Sequence, residues 1–406
     1  MAGSGGRSIS ALTIQNSPVN CYDERPGNVP VPDPELPGLN HLPESALKKT
    51  PLYDIHVASG GRMVPFGGWD MPVQYPAGII AETSSVRQNC GIFDVSHMGR
   101  VEFTGPGAIS FLDTVLSADV AALKSGRSKY HVICNEQGGI IDDAIVYRLD
   151  EERCLLVVNA GNFNADMDWL LPKSKAHNGV TVTDITGRTG MIAIQGPNAM
   201  ALVDGLSGGA SSGIRRVRIA ELEVSGIPCM AARTGYTGED GFELMPTADR
   251  AEELWIALKG AGAAECGLGS RDVLRLEAGL MLHGNDMTVE NNPYEAGLSW
   301  TLNNDKPGYI PGTALRKIAE SDTERVITGI RMTGRAIPRH GMAIFKDEKN
   351  VGIITSGTHS PTLDADIGMG YVARQLAVPG TELEIDVRGR RVGAQVVELP
   401  FYKRTN

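Results

Sequence analysis

Two adjacent carboxylates interrupt an otherwise apolar run, Gly138-Gly139-Ile140-Ile141-Asp142-Asp143-Ala144-Ile145-Val146-Tyr147, and constrain this chain more than any other feature. β-Branched residues dominate the run and a Gly-Gly turn precedes it, so it reads as a strand. Strand side chains alternate faces, which puts Ile141, Asp143 and Ile145 on one side and Ile140, Asp142, Ala144 and Val146 on the other. Both carboxylates have apolar neighbours above and below, and one is expected to point inward. A buried carboxylate is costly unless it is paired, hydrogen-bonded or used. The plainer alternative is an Asp that caps the turn or lies on the solvent face.

The 406 residues suffice for two or three domains with sizeable cores. A formal net charge of −10 argues against nucleic acid as the main partner, which would favour a basic footprint. No apolar stretch approaches the roughly 20 residues needed to span a bilayer. Cys21, Cys90, Cys134, Cys154, Cys229 and Cys266 are scattered without C-x-x-C pairing, which favours buried free thiols and no zinc site.

Residues 1–47 are rich in Pro, Gly, Ser and Asn and lack apolar periodicity, so they read as a disordered extension. Residues 1–22 lack acids but hold only one Arg, Arg7, a weak match to an Arg-rich transit signal. From Lys48 onward strands and helices alternate irregularly, an α+β pattern. Strands are expected at Val101 to Gly105, Leu155 to Val158 and Met191 to Ile194, and helices at Ala108 to Leu116, Ala251 to Leu258 and Leu274 to Leu282. After about Pro307 short strands separated by Gly, Pro and Asp turns (Thr328 to Met332, Met342 to Phe345, Val351 to Ile354, Leu383 to Val387) suggest a small all-β barrel or sandwich. The expected division is an extension over 1–47, a body over 48–320 and a β-domain over 321–404.

Five segments are too specific for scaffolding: Met63 to Pro72, Phe93 to Gly99, Cys134 to Asp143, Arg233 to Glu243 and Gly267 to Asp272. In Arg233-Thr234-Gly235-Tyr236-Thr237-Gly238-Glu239-Asp240-Gly241-Phe242-Glu243, three glycines let backbone approach closely, with Tyr236 and Glu243 flanking the loop. A ring and a carboxylate suit a flat heterocycle with a guanidine-like donor edge, one by stacking and the other by accepting two N–H bonds. A glycine-rich hairpin with a surface Glu is the competing reading. Arg271 could clamp Glu243 or a ligand oxygen, or form an ordinary pair with Asp272. His97 has no spaced partner and reads as a hydrogen-bonded core or loop residue rather than a metal ligand. Trp69 and Trp300 could be pocket rings or core. No phosphate loop, dinucleotide fingerprint or nucleophile elbow is present.

Taken together, these segments resemble the T-protein family of the glycine cleavage system, tetrahydrofolate-dependent aminomethyltransferases. The likeness runs collinearly from Thr50-Pro51-Leu52-Tyr53 to Leu399-Pro400-Phe401-Tyr402-Lys403-Arg404, through Gln195-Gly196-Pro197, Arg275-Leu276-Glu277-Ala278-Gly279 and Ile337-Pro338-Arg339-His340-Gly341. It implies three domains around a central folate channel, with a C-terminal β-domain. It also implies the reaction: a one-carbon unit passes from the aminomethyl-lipoyl arm of H-protein to tetrahydrofolate as acceptor co-substrate. The products are 5,10-methylenetetrahydrofolate, ammonia and dihydrolipoyl H-protein. No metal is implied, and the compartment would be the cytoplasm in a bacterium or the mitochondrial matrix in a eukaryote.

By the same resemblance Asp143 is the critical acid, placed beside the folate nitrogens to orient the co-substrate and stabilise developing positive charge. Glu243 matches the pterin-binding carboxylate, Tyr236 a nearby aromatic and Arg271 the arginine close to that site. Met98, Tyr130 and Asn159 fall where the family lines its pocket, and Tyr402 would contribute from the tail. Asp142, on the opposite face, would be structural. A relative that demethylates a sulfonium or N-methyl donor onto folate is the second enzyme reading. A folate-binding accessory protein of iron–sulfur assembly would carry Lys-Gly-Cys-Tyr-x-Gly-Gln-Glu where this chain has Arg233-Thr234-Gly235-Tyr236-Thr237-Gly238-Glu239-Asp240.

Overall fold

The computed structural model describes residues 47–404. Apart from Leu47, the expected disordered extension lies outside the described residues. Ile140–Arg148 is a strand, second in a five-stranded antiparallel sheet that runs Arg127–Cys134, Ile140–Arg148, Arg153–Val158, Gly99–Thr104, Thr181–Asp184. A six-stranded sheet runs Ile219–Val224, Ile227–Ala232, Gly241–Pro246, Ile192–Gln195, Gly91–Asp94, Ala264–Glu265, and only its last pairing is parallel.

The two sheets pack face to face. Tyr147, Leu155 and Val157 of the first meet Phe93, Ala193, Ala232 and Met245 of the second in one buried cluster. Helices Ala108–Val115 and Phe163–Lys175 cover the outer face of the first sheet through Phe111, Leu112, Val115 and Leu170. Helices Ala199–Leu206 and Ala251–Gly260 cover the outer face of the second through Val203, Leu254, Trp255 and Leu258. The body is thus four layers, helix–sheet–sheet–helix. Neither face of the acid strand meets bulk solvent, and alternation decides only which interior each carboxylate enters. Asp142 is fully buried toward the helices, and Asp143 is half-buried in the gap between the sheets. The expectation of one inward acid is corrected to two.

The C-terminal region closes into a six-stranded antiparallel barrel, ordered Arg325–Met332, Ala365–Ala373, Lys349–Ser360, Ala343–Lys346, Glu382–Val387, Arg390–Val397. Ile330, Ile344, Ile354, Val372, Ile385 and Val396 fill its interior. Two strands escaped the sequence pattern. Ala365–Ala373 contains Gly368 and Gly370, where a Cβ would lie 2.7 Å from the Ser356 carbonyl oxygen and 2.5 Å from that of Ile353. Close strand approach requires glycine there, and glycine erases the apolar alternation.

One helix differs more. The expected segment Leu274 to Leu282 is instead Leu268–Glu277. Its start was hidden because Gly267 and Gly269 read as loop, although they allow contact: a Cβ at Gly267 would sit 2.4 Å from the Val73 backbone. Its end is set by Gly279, at φ +65°. Gly279 N donates to Leu276 O at 2.9 Å and Leu280 N to Arg275 O at 2.9 Å, a Schellman closure that no helix continues through.

This helix ties barrel to body. Arg275, 1% exposed, donates through Nη1 to Asp286 at 2.6 Å, through Nε to Asp272 at 2.8 Å and through Nη2 to Ser356 of the barrel at 2.8 Å. Asp286 also accepts from Thr355 Oγ1 at 2.5 Å, and its backbone oxygen accepts from Tyr371 at 2.8 Å. Glu277, fully buried, accepts from Arg87 Nη2 at 2.7 Å and from barrel residues Ser360 and Thr362 at 2.6 and 2.9 Å. Among the described residues no helix is long and apolar enough to cross a membrane. Arg275→Met leaves Asp286 buried without its cation, and the expected loss is about 3–5 kcal/mol, as for other broken buried pairs. Urea denaturation measures it; a loss below about 1 kcal/mol, typical of a surface pair, would show that this contact does not hold the junction.

Candidate active site

Asp143 reaches the inter-sheet gap because it shares a strand face with Ile145 and Tyr147. Tyr130, its neighbour across the sheet, donates its hydroxyl to Asp143 Oδ2 at 3.0 Å. Asn159 sits where the next strand ends, and its Nδ2 reaches Asp143 Oδ1 at 2.9 Å and Asp142 Oδ1 at 2.8 Å. One amide therefore registers both carboxylates. Burial and the negative charge of Asp142 push Asp143 up to about 7, against the opposing pull of His283, Tyr130 and Asn159. Tyr130 is raised far above its ordinary value by burial and by Asp143, so it stays a donor.

The second sheet supplies the other wall. Along Gly241–Pro246, Phe242 and Leu244 turn outward to the helices, while Glu243 and Met245 turn inward. Glu243 is 5% exposed and accepts from Thr234 Oγ1 at 2.5 Å and from the Tyr147 hydroxyl at 3.3 Å, both on Oε2. Arg271 stands on the junction helix with its guanidinium 4.9 Å from the Tyr236 ring centre. Burial lowers its pKa, opposed by Glu243 and Tyr236. Its Nη1 is buried without a hydrogen-bond partner among the described residues. A buried cationic donor left unmade is expensive. The Tyr236 hydroxyl donates to Met281 O, which fixes the ring.

Asp143 and Tyr147 are four residues apart on one face, roughly 13 Å at the rise of a strand. Tyr147 touches Glu243, so one face of this strand carries Asp143 near one end and the contact to Glu243 near the other. Met98 packs into the wall with Ile145 and Tyr147. Met98, Tyr130, Asn159, Tyr236 and Arg271 are all half-buried within an otherwise buried layer, the signature of a lined cleft.

Tyr402 is placed differently. Its ring carries the Arg87 guanidinium at 3.9 Å, and its backbone N donates to Glu277 O at 2.7 Å. It belongs to the junction between barrel and body, beside Gly238 of the glycine-rich loop. Asp272 accepts from Arg275 Nε at 2.8 Å. Trp300 is not core: it is 65% exposed and stacks on Tyr130 with centroids 5.7 Å apart. Trp69 is half-buried. His97 is buried with Nδ1 unpartnered among the described residues, and burial lowers it to about 4, so it is a neutral wall residue and not a cation.

Sequence reasoning passed over Tyr147, Thr234, Asn162, Asp166 and His283. Tyr147 was findable, being on the same strand face as Asp143. Asp166 left a trace as the one acid among Phe163, Met167 and Leu170 on the buried face of its helix. Among the described residues no group of three or more His, Cys, Asp or Glu is arranged to hold a metal ion.

A two-sheet body docked on a closed barrel, with Asp143 on one sheet and Glu243 on the other, has counterparts among known proteins. Residues 52–306 match the family model described as the GCVT N-terminal domain, and 325–403 the glycine cleavage T-protein C-terminal barrel domain. An aminomethyltransferase of Desulforamulus reducens is 45% identical over 362 residues, covering 88% of this chain and 99% of its own length. One from Geobacillus kaustophilus is 42% identical over 364 residues, with 88% and 99% covered. The crystal structure of the glycine cleavage system aminomethyltransferase T from Bartonella henselae superposes with a TM-score of 0.84 at 36% identity, covering 88% of this chain and 99% of that one. Fold and site thus define a transferase. The chain belongs to the glycine cleavage T-protein family.

The fold raises Asp143 from 3.8 to about 7, so its ionisation weakens the fold as pH climbs through that interval, and the penalty is complete above it. Asp143→Asn removes that charge. Its thermal midpoint is expected to exceed that of the parent protein at about pH 8.5, and the gap to close toward about pH 4. A gap that does not change with pH would show that the site does not strain this carboxylate.

Proposed function

We propose that this chain is the aminomethyltransferase of the glycine cleavage system, with tetrahydrofolate as acceptor and a lipoylated H-protein as donor. The single observation that carries the reading is the pairing of Asp143, raised toward neutrality, with Glu243 of the facing sheet and the unsatisfied Arg271 Nη1 of the junction helix. Family membership supports the transferase activity.

In this reading Glu243 accepts the guanidine-like edge of the pterin, with Thr234 and Tyr147 occupying its other oxygen so that the free one faces the ligand. Arg271 donates from Nη1 to a ligand oxygen, and Tyr236 supports the guanidinium from behind. Those contacts set the depth of the heterocycle and bring the reacting nitrogens near Asp143. Held by Tyr130 and Asn159, the ionised Asp143 stabilises positive charge that develops as the carbon–sulfur bond breaks and ammonia leaves. The half-buried setting keeps competing water low, which strengthens that interaction. The transfer body over 48–320 and the β-domain over 321–404 are proposed as separate units, a division supported by the two family models.

Three measurements test this. Incubation with aminomethyl-loaded lipoyl H-protein and tetrahydrofolate should release ammonia, while a sulfonium methyl donor should give no product. The reverse outcome would select the demethylase. Asp143→Asn should lower turnover by about 10²–10³-fold with little change in tetrahydrofolate affinity, since charge stabilisation at the reacting centre is lost. Near-parental turnover would remove Asp143 from the chemistry. Glu243→Ala should weaken tetrahydrofolate by about 1.5–3 kcal/mol, roughly 10- to 150-fold in Kd, by removing a charged acceptor from a buried edge. An unchanged titration would place the pterin elsewhere.

A further inference from the structure

Behind Asp143, away from the gap, lies a third acid that the proposed chemistry does not use. Helix Phe163–Lys175 packs on the acid strand, and Phe163, Asp166, Met167 and Leu170 form its inner face. Asp166 is fully buried there, beneath the equally buried Asp142. Asn162 and Asp166 lie one helical turn apart, and Asn162 Nδ2 reaches Asp142 Oδ1 at 2.6 Å, so Asp166 faces the same carboxylate. Asp142 accepts three N–H bonds, from Asn159 N at 2.9 Å, Asn159 Nδ2 at 2.8 Å and Asn162 Nδ2 at 2.6 Å. No N–H or O–H donor among the described residues reaches either oxygen of Asp166.

Two carboxyl groups buried side by side, with no cation paired to either, cannot both be charged, so the pair holds a proton. Three donors stabilise charge on Asp142, and none does so on Asp166. Burial raises both groups, and the negative charge of Asp142 lifts Asp166 further, well above the carboxylate range. The proton therefore resides on Asp166, which faces Asp142. Asn159, anchored on Asp142 through both its backbone and side-chain nitrogens, then extends Nδ2 to Asp143 Oδ1. The other titratable groups facing this network are His283 and Tyr130. Burial lowers the His283 pKa; its Nε2 donates to Ile140 O at 3.2 Å and its Nδ1 accepts from Asn162 Nδ2 at 2.6 Å.

We propose that Asp166 is a positioning residue for transfer: it carries the proton of a carboxyl–carboxylate pair and thereby keeps Asp142 the charged acceptor that locks Asn159 onto Asp143. Asp166 touches neither ligand nor reacting atoms. It acts by fixing where Asp143 points and how much negative charge stands beside it. The kinetic part rests on the aminomethyl-transfer reading; the location of the proton does not.

Two substitutions separate the proton from mere packing. In Asp166→Asn the amide keeps both volume and a donor toward Asp142 and bears no charge. Its pH profile of turnover should overlie the parent's within about 0.3 unit, with turnover within about threefold, because a neutral donor replaces a neutral donor. In Asp166→Ala the buried Asp142 loses that donor and takes up the proton itself. The charge beside Asp143 then disappears, and the acidic limb of the profile should move down by about one unit or more as turnover falls about tenfold. An Asp166→Asn profile displaced like that of Asp166→Ala would show that Asp166 is ionised and overturn the assignment. An Asp166→Ala enzyme with parental turnover and limb would overturn the positioning role. Infrared difference spectra of parent against Asp166→Asn at about pH 9, where Asp143 is ionised, need no substrate and no alanine variant. A neutral-carboxyl stretch present in the parent and absent in Asp166→Asn supports the proton on Asp166, and its absence from the parent overturns it. If the parent protein releases no ammonia from loaded H-protein, the functional reading fails while the infrared result still stands or falls alone.

Discussion

The architecture depends on the helix Leu268–Glu277 and the two buried ion pairs it makes. Arg275 binds Asp286, and Glu277 binds Arg87, each inside a shell of hydroxyl donors from the barrel. Buried charges are tolerated only when paired and fully hydrogen-bonded, and here each has partners from at least two parts of the chain. Removing any one part strands a charge. The barrel is therefore held at a fixed angle, which a purely apolar contact of the same size would specify less sharply. The same helix carries Arg271 one turn before Arg275, so the constraint that docks the barrel also aims the free guanidinium into the gap.

That gap gains its chemistry from two facing sheets. Asp143 comes from one and Glu243 from the other, and Tyr147 crosses between them. Each residue sits on a regular strand whose backbone bonds are satisfied by neighbours, so geometry is set by rigid elements. The acid is destabilised where it stands, by burial and by Asp142, and the layered core absorbs that penalty. A carboxylate strained in this way is poised to answer positive charge. Nearby, Arg271 Nη1 has no hydrogen-bond partner among the described residues, and the side chains around it are half-buried.

Much was legible beforehand, and the reasons are specific. The Ala251 helix and four barrel strands followed from periodicity, because their apolar faces meet a single core, and the acid strand followed from its β-branched run between two cores. Where glycine replaces side chains for close packing, as at Gly267, Gly269, Gly368 and Gly370, the pattern vanished and the reading shifted. Tyr130 and Asn159 were placed by resemblance alone; their hydrogen bonds to Asp143 depend on strand register that no local pattern encodes. Tyr402 lies against Arg87 and Glu277 at the junction, since the tail's path is fixed by contacts more than 100 residues away along the chain.

The sequence by itself determined the strand carrying two acids, the opposite facing of Asp142 and Asp143, the glycine-rich loop beside Glu243 and the family to which they belong. Those properties follow from local alternation and from motif order. Only the tertiary structure decided that both acids lie between packed layers, that Asp142 is held by Asn159 and Asn162, and that the Arg271 guanidinium stands beside the Tyr236 ring. Burial and charge coupling are sums over neighbours distant in sequence, and a strand alone cannot say what covers its faces.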